Sequence, residues 1–264
     1  MKDVKPENTE QYIKWLRETL NIIISKRHEN HYESVTKNVK TDFENSKFWH
    51  DLIDNLKEFN DEYYLQTKYD LLASGFKPII LIKDYDKFLN KTLRKNIIER
   101  ENWNDEPENG WIVPDNWFMK INDIIRTEIV VKYLDGVEFI KNKIELLCKK
   151  YNQKCICSYE ARIEGYYAVH INTCQLFEIP KINYDTEKIE IPIEIQITTQ
   201  LQDTIRKLLH KYYEARRGKI EKNGKDWMWD YESNEFITNY LGHILHYVEG
   251  MIMDVREKQK REMK

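Results

Sequence analysis

The stretch Ile191-Pro192-Ile193-Glu194-Ile195-Gln196-Ile197-Thr198 constrains the chain more than any other. Its strict alternation puts four isoleucines on one face of an extended strand and Glu194, Gln196 and Thr198 on the other, a period that no helix satisfies. The chain must therefore build a sheet. Only 8 Gly and 6 Pro occur among 264 residues, too few for the many tight turns of a sandwich or propeller, so the sheet shares its core with helices. Charged residues reach 33%, but 12% are aromatic, which excludes a charge-solvated disordered chain.

Helical spacing of apolar residues over 7–62 (Tyr12, Leu16, Leu20, then Phe48, Leu52, Leu56) predicts two or three helices. Residues 76–83 read as a strand running into a basic helix over 84–100, and 101–117 as an ordered loop pinned by Trp103, Trp111 and Trp117. Strands are expected at 123–131, 154–162, 166–177 and 188–198, with a helix over 135–151. Helices over 203–217 and 234–257 follow, and 258–264 is a charged tail expected to fray. The fold class is α+β, a mixed sheet of about five strands flanked by helices. One domain is expected, with an N-terminal helical region at 1–75, a core at 76–217 and a C-terminal helix and tail at 218–264.

No apolar run approaches the roughly 20 residues a membrane span needs, and the polar first ten residues show no secretory pattern. Cys148, Cys155, Cys157 and Cys174 form no CxxC and have no flanking histidine pair, so neither a zinc site nor a disulfide framework is suggested. A reducing cytoplasm is the expected location, without a membrane partner. The formal charge of -3 argues against a generally basic coat and against DNA, but charge is uneven. Over 204–225, eight basic residues (Arg206, Lys207, Lys211, Arg216, Arg217, Lys219, Lys222, Lys225) face only Glu214 and Glu221, and Lys91, Arg94 and Lys95 form a second cluster. Such a spread suits tracking of an RNA backbone; it equally suits a soluble helix.

Asp123, just before Ile124-Ile125, and Glu194, between two isoleucines, are costly beside an apolar sheet unless they have partners, a metal or solvent. The polar face of the isoleucine strand reads either as an ordinary solvated face or as the lining of a cleft. Two carboxylates from separate strands can hold Mg2+ or divide the roles of metal ligand and general base. Gly165-Tyr166-Tyr167-Ala168-Val169-His170 is a bulge with packed tyrosines, or a tyrosine that stacks on a base beside a histidine. Lys83, Lys87 and Lys91 recur every four residues from a strand-to-helix junction, where lysines and amides can hold phosphates without the absent GxxxxGK[ST] pattern.

Taken in order, Lys83-x3-Lys87-x3-Lys91, Asp123-Ile124-Ile125-Arg126, Glu164 through His170, and Glu194-Ile195-Gln196-Ile197 resemble the RelA/SpoT synthetase domain over roughly 76–217. Gly110-Trp111 with Pro114 through Phe118, Tyr133 through Val137, and Tyr240-Leu241-Gly242-His243 with Glu249-Gly250 resemble the toxic small alarmone synthetases of toxin-antitoxin systems. The resemblance implies a pyrophosphokinase that moves the β,γ-diphosphate of ATP onto a ribose 3′-hydroxyl with Mg2+. It assigns Asp123 as a metal ligand, and Glu194 as the second acidic partner that shares the metal or activates the hydroxyl. Tyr166 would stack on the acceptor base, His170 and Gln196 would line its pocket, and Lys83, Lys87 and Lys91 would hold ATP phosphates.

Two positions depart from that pattern. Leu81 stands where the family carries an adenine-stacking arginine, and Glu128 where many members carry another, leaving Arg126, on the same strand face as Glu128, to cover adenine or phosphate. The dipeptide His50-Asp51 matches the HD hydrolase of full-length relatives, but it lies in an amphipathic stretch without a ligand set and reads as structural. The toxin-like segments and the basic clusters imply the tRNA 3′-CCA adenosine as acceptor, with Arg94, Lys95, Arg206, Lys207, Arg216 and Arg217 on the tRNA, inhibition of translation and a protein antitoxin. A (p)ppGpp or (p)ppApp synthetase and an inactive RNA- or partner-binding relative are the alternatives.

Overall fold

The computed structural model describes residues 4–182, 185–217 and 226–262, with side chains at 209–217 and at 226 outside the description. Three helices open the chain: α1 (Thr9–Thr19), α2 (Lys26–Glu44) and α3 (Lys47–Thr67). They are followed by β1 (Ile80–Ile82), α4 (Tyr85–Leu93), α5 (Trp117–Lys120), β2 (Ile125–Val131) and α6 (Leu134–Lys150). The strands β3 (Lys154–Ala161), β4 (Tyr167–Pro180) and β5 (Thr186–Thr199) complete a five-stranded sheet, and α7 (Gln200–Arg217) and α8 (Asn234–Glu262) close the described chain. This is the expected α+β fold with a mixed sheet flanked by helices.

The sheet order is β1-β2-β5-β4-β3, which puts the isoleucine strand at the centre. A central strand covered on both faces has no solvated side. Glu194 and Gln196 are each only 7% exposed and Thr198 2%, so the solvated reading of their face is corrected to a buried polar one. The strand expected over 76–83 shrinks to three residues, since Gly75 has a positive φ of 69° and Pro78 has no N–H for a ladder. The basic helix expected over 84–100 is α-helical only to Leu93 and widens into a π turn at Arg94–Ile98. Within that turn the buried Asn96 amide donates to Tyr12 Oη at 2.6 Å and to the Ile112 carbonyl at 2.8 Å, and accepts from Ile112 N at 3.0 Å, tying down the long loop. The tail expected to fray from 258 is helical to Glu262.

The chain folds into two compact units. The first takes Met1–Ser46, Ile80–Arg126 and Cys174–Glu194, and the second Lys47–Ile79, Thr127–Thr173 and Ile195–Lys264. In the first, Tyr12 and Leu16 of α1, Tyr32, Val35, Val39 and Phe43 of α2, and Phe88 and Leu93 of α4 are buried at helical spacing. Trp117 packs edge-on against Phe88 at 5.1 Å and Trp111 against Trp15 at 4.9 Å, so two of the three loop tryptophans anchor it. In the second, Phe48, Leu52 and Leu56 of α3 and Ile140, Ile144 and Leu147 of α6 are buried. No described helix is long and apolar enough to cross a membrane.

Candidate functional site

In the first unit the polar centre is Asp123, two residues before the start of β2. Backbone pairing sets it: Lys83 N, just past β1, donates to the Ile124 carbonyl at 2.8 Å, so the end of β1 lies beside Asp123. Lys83 Nζ then stands 2.9 Å from one carboxylate oxygen and Lys91 Nζ 2.8 Å from the other. Lys83 precedes α4 rather than lying on it, yet it converges with Lys91 of α4 on one carboxylate. Tyr32 buttresses the junction, donating from Oη to the Lys83 carbonyl at 2.7 Å and stacking on Phe88 at 4.4 Å. Lys87 is exposed on α4, and Arg126 is half-buried on β2.

Asp123 is only 15% exposed, and burial by itself works to raise its pKa. The charges and hydrogen bonds of Lys91 and Lys83 outweigh it and hold the carboxyl down at about 2. Burial pushes the Lys83 ammonium the other way, below its usual range, against the pull of Asp123. The result is an ionised carboxylate neutralised by two ammoniums, each able to exchange it for a phosphate oxygen. Glu194 is buried on β5, the strand next to β2.

In the second unit Tyr166 lies immediately before β4, its Oη 2.9 Å from His170 Nε2 and the two rings edge-on at 5.9 Å. The Arg162 guanidinium lies 5.4 Å from the Tyr166 ring centre, and His170 and Gln196 are buried. A ring with a cation near one face and a polar hydroxyl is suited to stacking on a nucleobase.

Arg206 of α7 bonds to Glu128 and, at 2.8 Å, to Asp203; Lys207 bonds to Asp203 at 2.6 Å. Burial tends to lower the Arg206 pKa, but Glu128 and Asp203 overcome it and raise it. Of these two cations, expected as phosphate contacts, Arg206 is thus largely taken up by its two carboxylates, whereas Lys207 pairs with Asp203 but stays exposed. Sequence reasoning missed this partnership, although Asp203 stands three and four residues before them, the helical ion-pair spacing. Glu128, which looks like a lost arginine, is the counterpart of an arginine supplied from α7. Arg94 pairs with Glu99, Lys95 is exposed on the π turn, and the side chains of Arg216 and Arg217 lie outside the described residues.

Asp51 accepts from Tyr151 Oη at 2.6 Å and from Lys150 Nζ, which makes His50-Asp51 part of a helix contact. Among the described residues no group of three or more His, Cys, Asp or Glu is arranged to hold a metal, and the four cysteines are free thiols.

No protein-family model matches the chain, and no curated protein matches it. Solved structures share its fold. Small alarmone synthetase 1 from Bacillus subtilis, bound to its product pppGpp, superposes with a TM-score of 0.53 at 13% identity, covering 88% of this chain and 96% of that one. The same synthetase bound to AMPCPP gives 0.50 at 13% identity, with coverages of 96% and 99%. A GTP pyrophosphokinase family protein from Streptococcus pneumoniae gives 0.50 at 17% identity, with coverages of 89% and 95%. At such identities the likeness is one of fold.

Proposed function

We propose that the chain is an ATP-dependent pyrophosphokinase: a ribose 3′-oxygen attacks the β-phosphorus of ATP, the bond from that phosphorus to the α,β-bridging oxygen breaks, and AMP leaves. The observation that carries this reading is Asp123, ionised between Lys83 and Lys91 at the junction of β1 and α4. Phosphoryl chemistry is mostly positioning and charge neutralisation, and this cluster holds the charges it needs. Lys83 and Lys91 would take the phosphates of ATP, with Lys87 and Arg126 as further contacts, and Glu194 would accept the proton of the attacking hydroxyl. Tyr166, with His170 and Gln196, would hold the acceptor base.

Mg2+ fits this donor set. It commonly binds through one or two carboxylates and completes its shell with water and substrate phosphates, so an all-protein cage is not required. Asp123 and Glu194 would hold it, and when bound it supplies charge neutralisation on the phosphate oxygens.

A free guanosine nucleotide is the acceptor that the fold neighbours support, since one of them carries pppGpp as its product. A second reading takes the tRNA 3′-terminal adenosine, supported by the basic residues over 204–225 and by the toxin-like segments, and it brings with it translation inhibition and a protein antitoxin. The test incubates the protein with Mg2+ and ATP labelled at the γ-phosphate, and offers GDP, GTP, AMP or deacylated tRNA. Label on GDP or GTP is the expected outcome; label on tRNA establishes the second reading. Transfer to none of them overturns the enzyme and leaves a binding module.

A further inference from the structure

The turn that delivers Tyr166 is held by α8, an element that the proposed chemistry does not otherwise use. Residues 162–166 close a tight turn, with Gly165 N donating to the Arg162 carbonyl at 2.9 Å and Arg162 N to the Tyr166 carbonyl at 3.0 Å. Gly165 has a positive φ of 76°. A Cβ placed on it would lie 2.4 Å from the Asn239 carbonyl oxygen and 2.9 Å from His243 N, and one placed on Gly242 would lie 2.4 Å from the Gly165 carbonyl oxygen. Turn backbone and helix backbone thus touch directly.

His243 locks that contact from the side. Its Nε2 is 2.9 Å from the Ile163 carbonyl oxygen and its Nδ1 2.8 Å from Tyr167 Oη. A carbonyl only accepts, so Nε2 carries the proton, and in the neutral ring Nδ1 accepts from the Tyr167 hydroxyl. One imidazole therefore grips the chain on both sides of Tyr166. Behind it, the Tyr167 ring stacks on His246 at 3.7 Å with planes 8° apart, and Gln202 Nε2 donates to the Gly242 carbonyl at 3.3 Å. Glu249, on the same helix, accepts from the Thr199 hydroxyl at the end of β5.

We infer that His243, seated by the Gly165–Gly242 contact, is a positioning residue for the acceptor: it fixes the turn that aims Tyr166 and so sets acceptor affinity without touching the reacting atoms. The inference rests on the reading of Tyr166 as the acceptor-stacking residue. A ring held in advance loses little freedom when a base stacks on it, whereas a loose turn loses that freedom on binding.

The test is steady-state kinetics with ATP and GDP, or deacylated tRNA if that takes the label, on wild type, His243→Ala, His243→Gln and Tyr167→Phe. His243→Ala is expected to raise the acceptor KM about tenfold, in the direction of Tyr166→Ala, with kcat within about twofold and the KM for ATP unchanged. His243→Gln, whose amide both donates and accepts, should recover most of the loss. Tyr167→Phe removes one hydroxyl and should shift the acceptor KM the same way by less, which keeps the test decisive if His243→Ala fails to fold. A wild type that transfers while both His243→Ala and Tyr167→Phe keep its acceptor KM, or variants whose kcat and both KM values move together, overturns the inference alone. A wild type that transfers to no acceptor overturns the function and the inference with it.

Discussion

Asp123 is ionised because of two neighbours rather than because of water. Its folded pKa of about 2 against an ordinary 3.8 makes the carboxylate form the favoured one in the fold. That difference contributes about 2 kcal/mol, fully present above the ordinary value and lost as pH falls through about 2. Asp123→Asn is accordingly expected to abolish transfer and to lower the unfolding free energy by about 1–3 kcal/mol, because Lys83 and Lys91 lose their shared partner. Glu194→Gln is expected to abolish transfer as well, with a smaller stability loss. Label transfer and urea unfolding read both effects, and near-wild-type turnover in either variant removes the assigned mechanism. The two acids were legible in the sequence as charges set among isoleucines. The lysines' grip on Asp123 was not, because it depends on β1 pairing beside β2, and neither was the Arg206–Glu128 pair, which depends on where α7 lies.

The elements are legible in the sequence at two depths. Alternation in β5 announces a strand, but only the sheet order, which runs out of chain order, reveals it as central and its polar face as buried. The last turns of α8 are entirely polar and therefore look like a tail, yet they contain no helix breaker, Lys258 pairs with Asp254 at i,i+4, and Lys260 and Arg261 suit the negative end of a helix dipole. What fixes α8 is Arg256. Its guanidinium lies 4.2 Å from the ring centres of both Tyr69 and Tyr133, and it bonds to Asp135 at 3.0 Å and Tyr63 Oη at 3.2 Å. Arg256→Met should cost about 2–4 kcal/mol in urea unfolding, since it leaves a carboxylate and a phenol without their cation. Arg256→Lys should restore little, because a lysine cannot present a planar fork between two rings. A loss below about 0.5 kcal/mol for Arg256→Met would reduce this cluster to surface decoration.

For the whole molecule the distribution of charge matters more than its sum of -3. Arg206 and Lys207 are drawn into ion pairs with Asp203, so a count of basic residues overstates what 204–225 offers a polyanion. The two acceptor readings still separate on salt. With tRNA, the logarithm of apparent affinity should fall linearly with that of salt, and Lys207→Gln, Arg216→Gln and Arg217→Gln together should flatten the slope by roughly 0.7–0.9 for each phosphate left without its cation. With GDP the same triple substitution should change nothing. An unaltered tRNA slope would remove the only support for tRNA that comes from the residues themselves. Whatever the acceptor, the meeting of Gly165 and Gly242 has an evolutionary consequence. Each already bears the smallest side chain available, so neither position can compensate for growth at the other, and any lineage that keeps this turn must inherit both unchanged. Selection on the turn that carries Tyr166 thus reaches into α8, at a residue that need never meet a ligand.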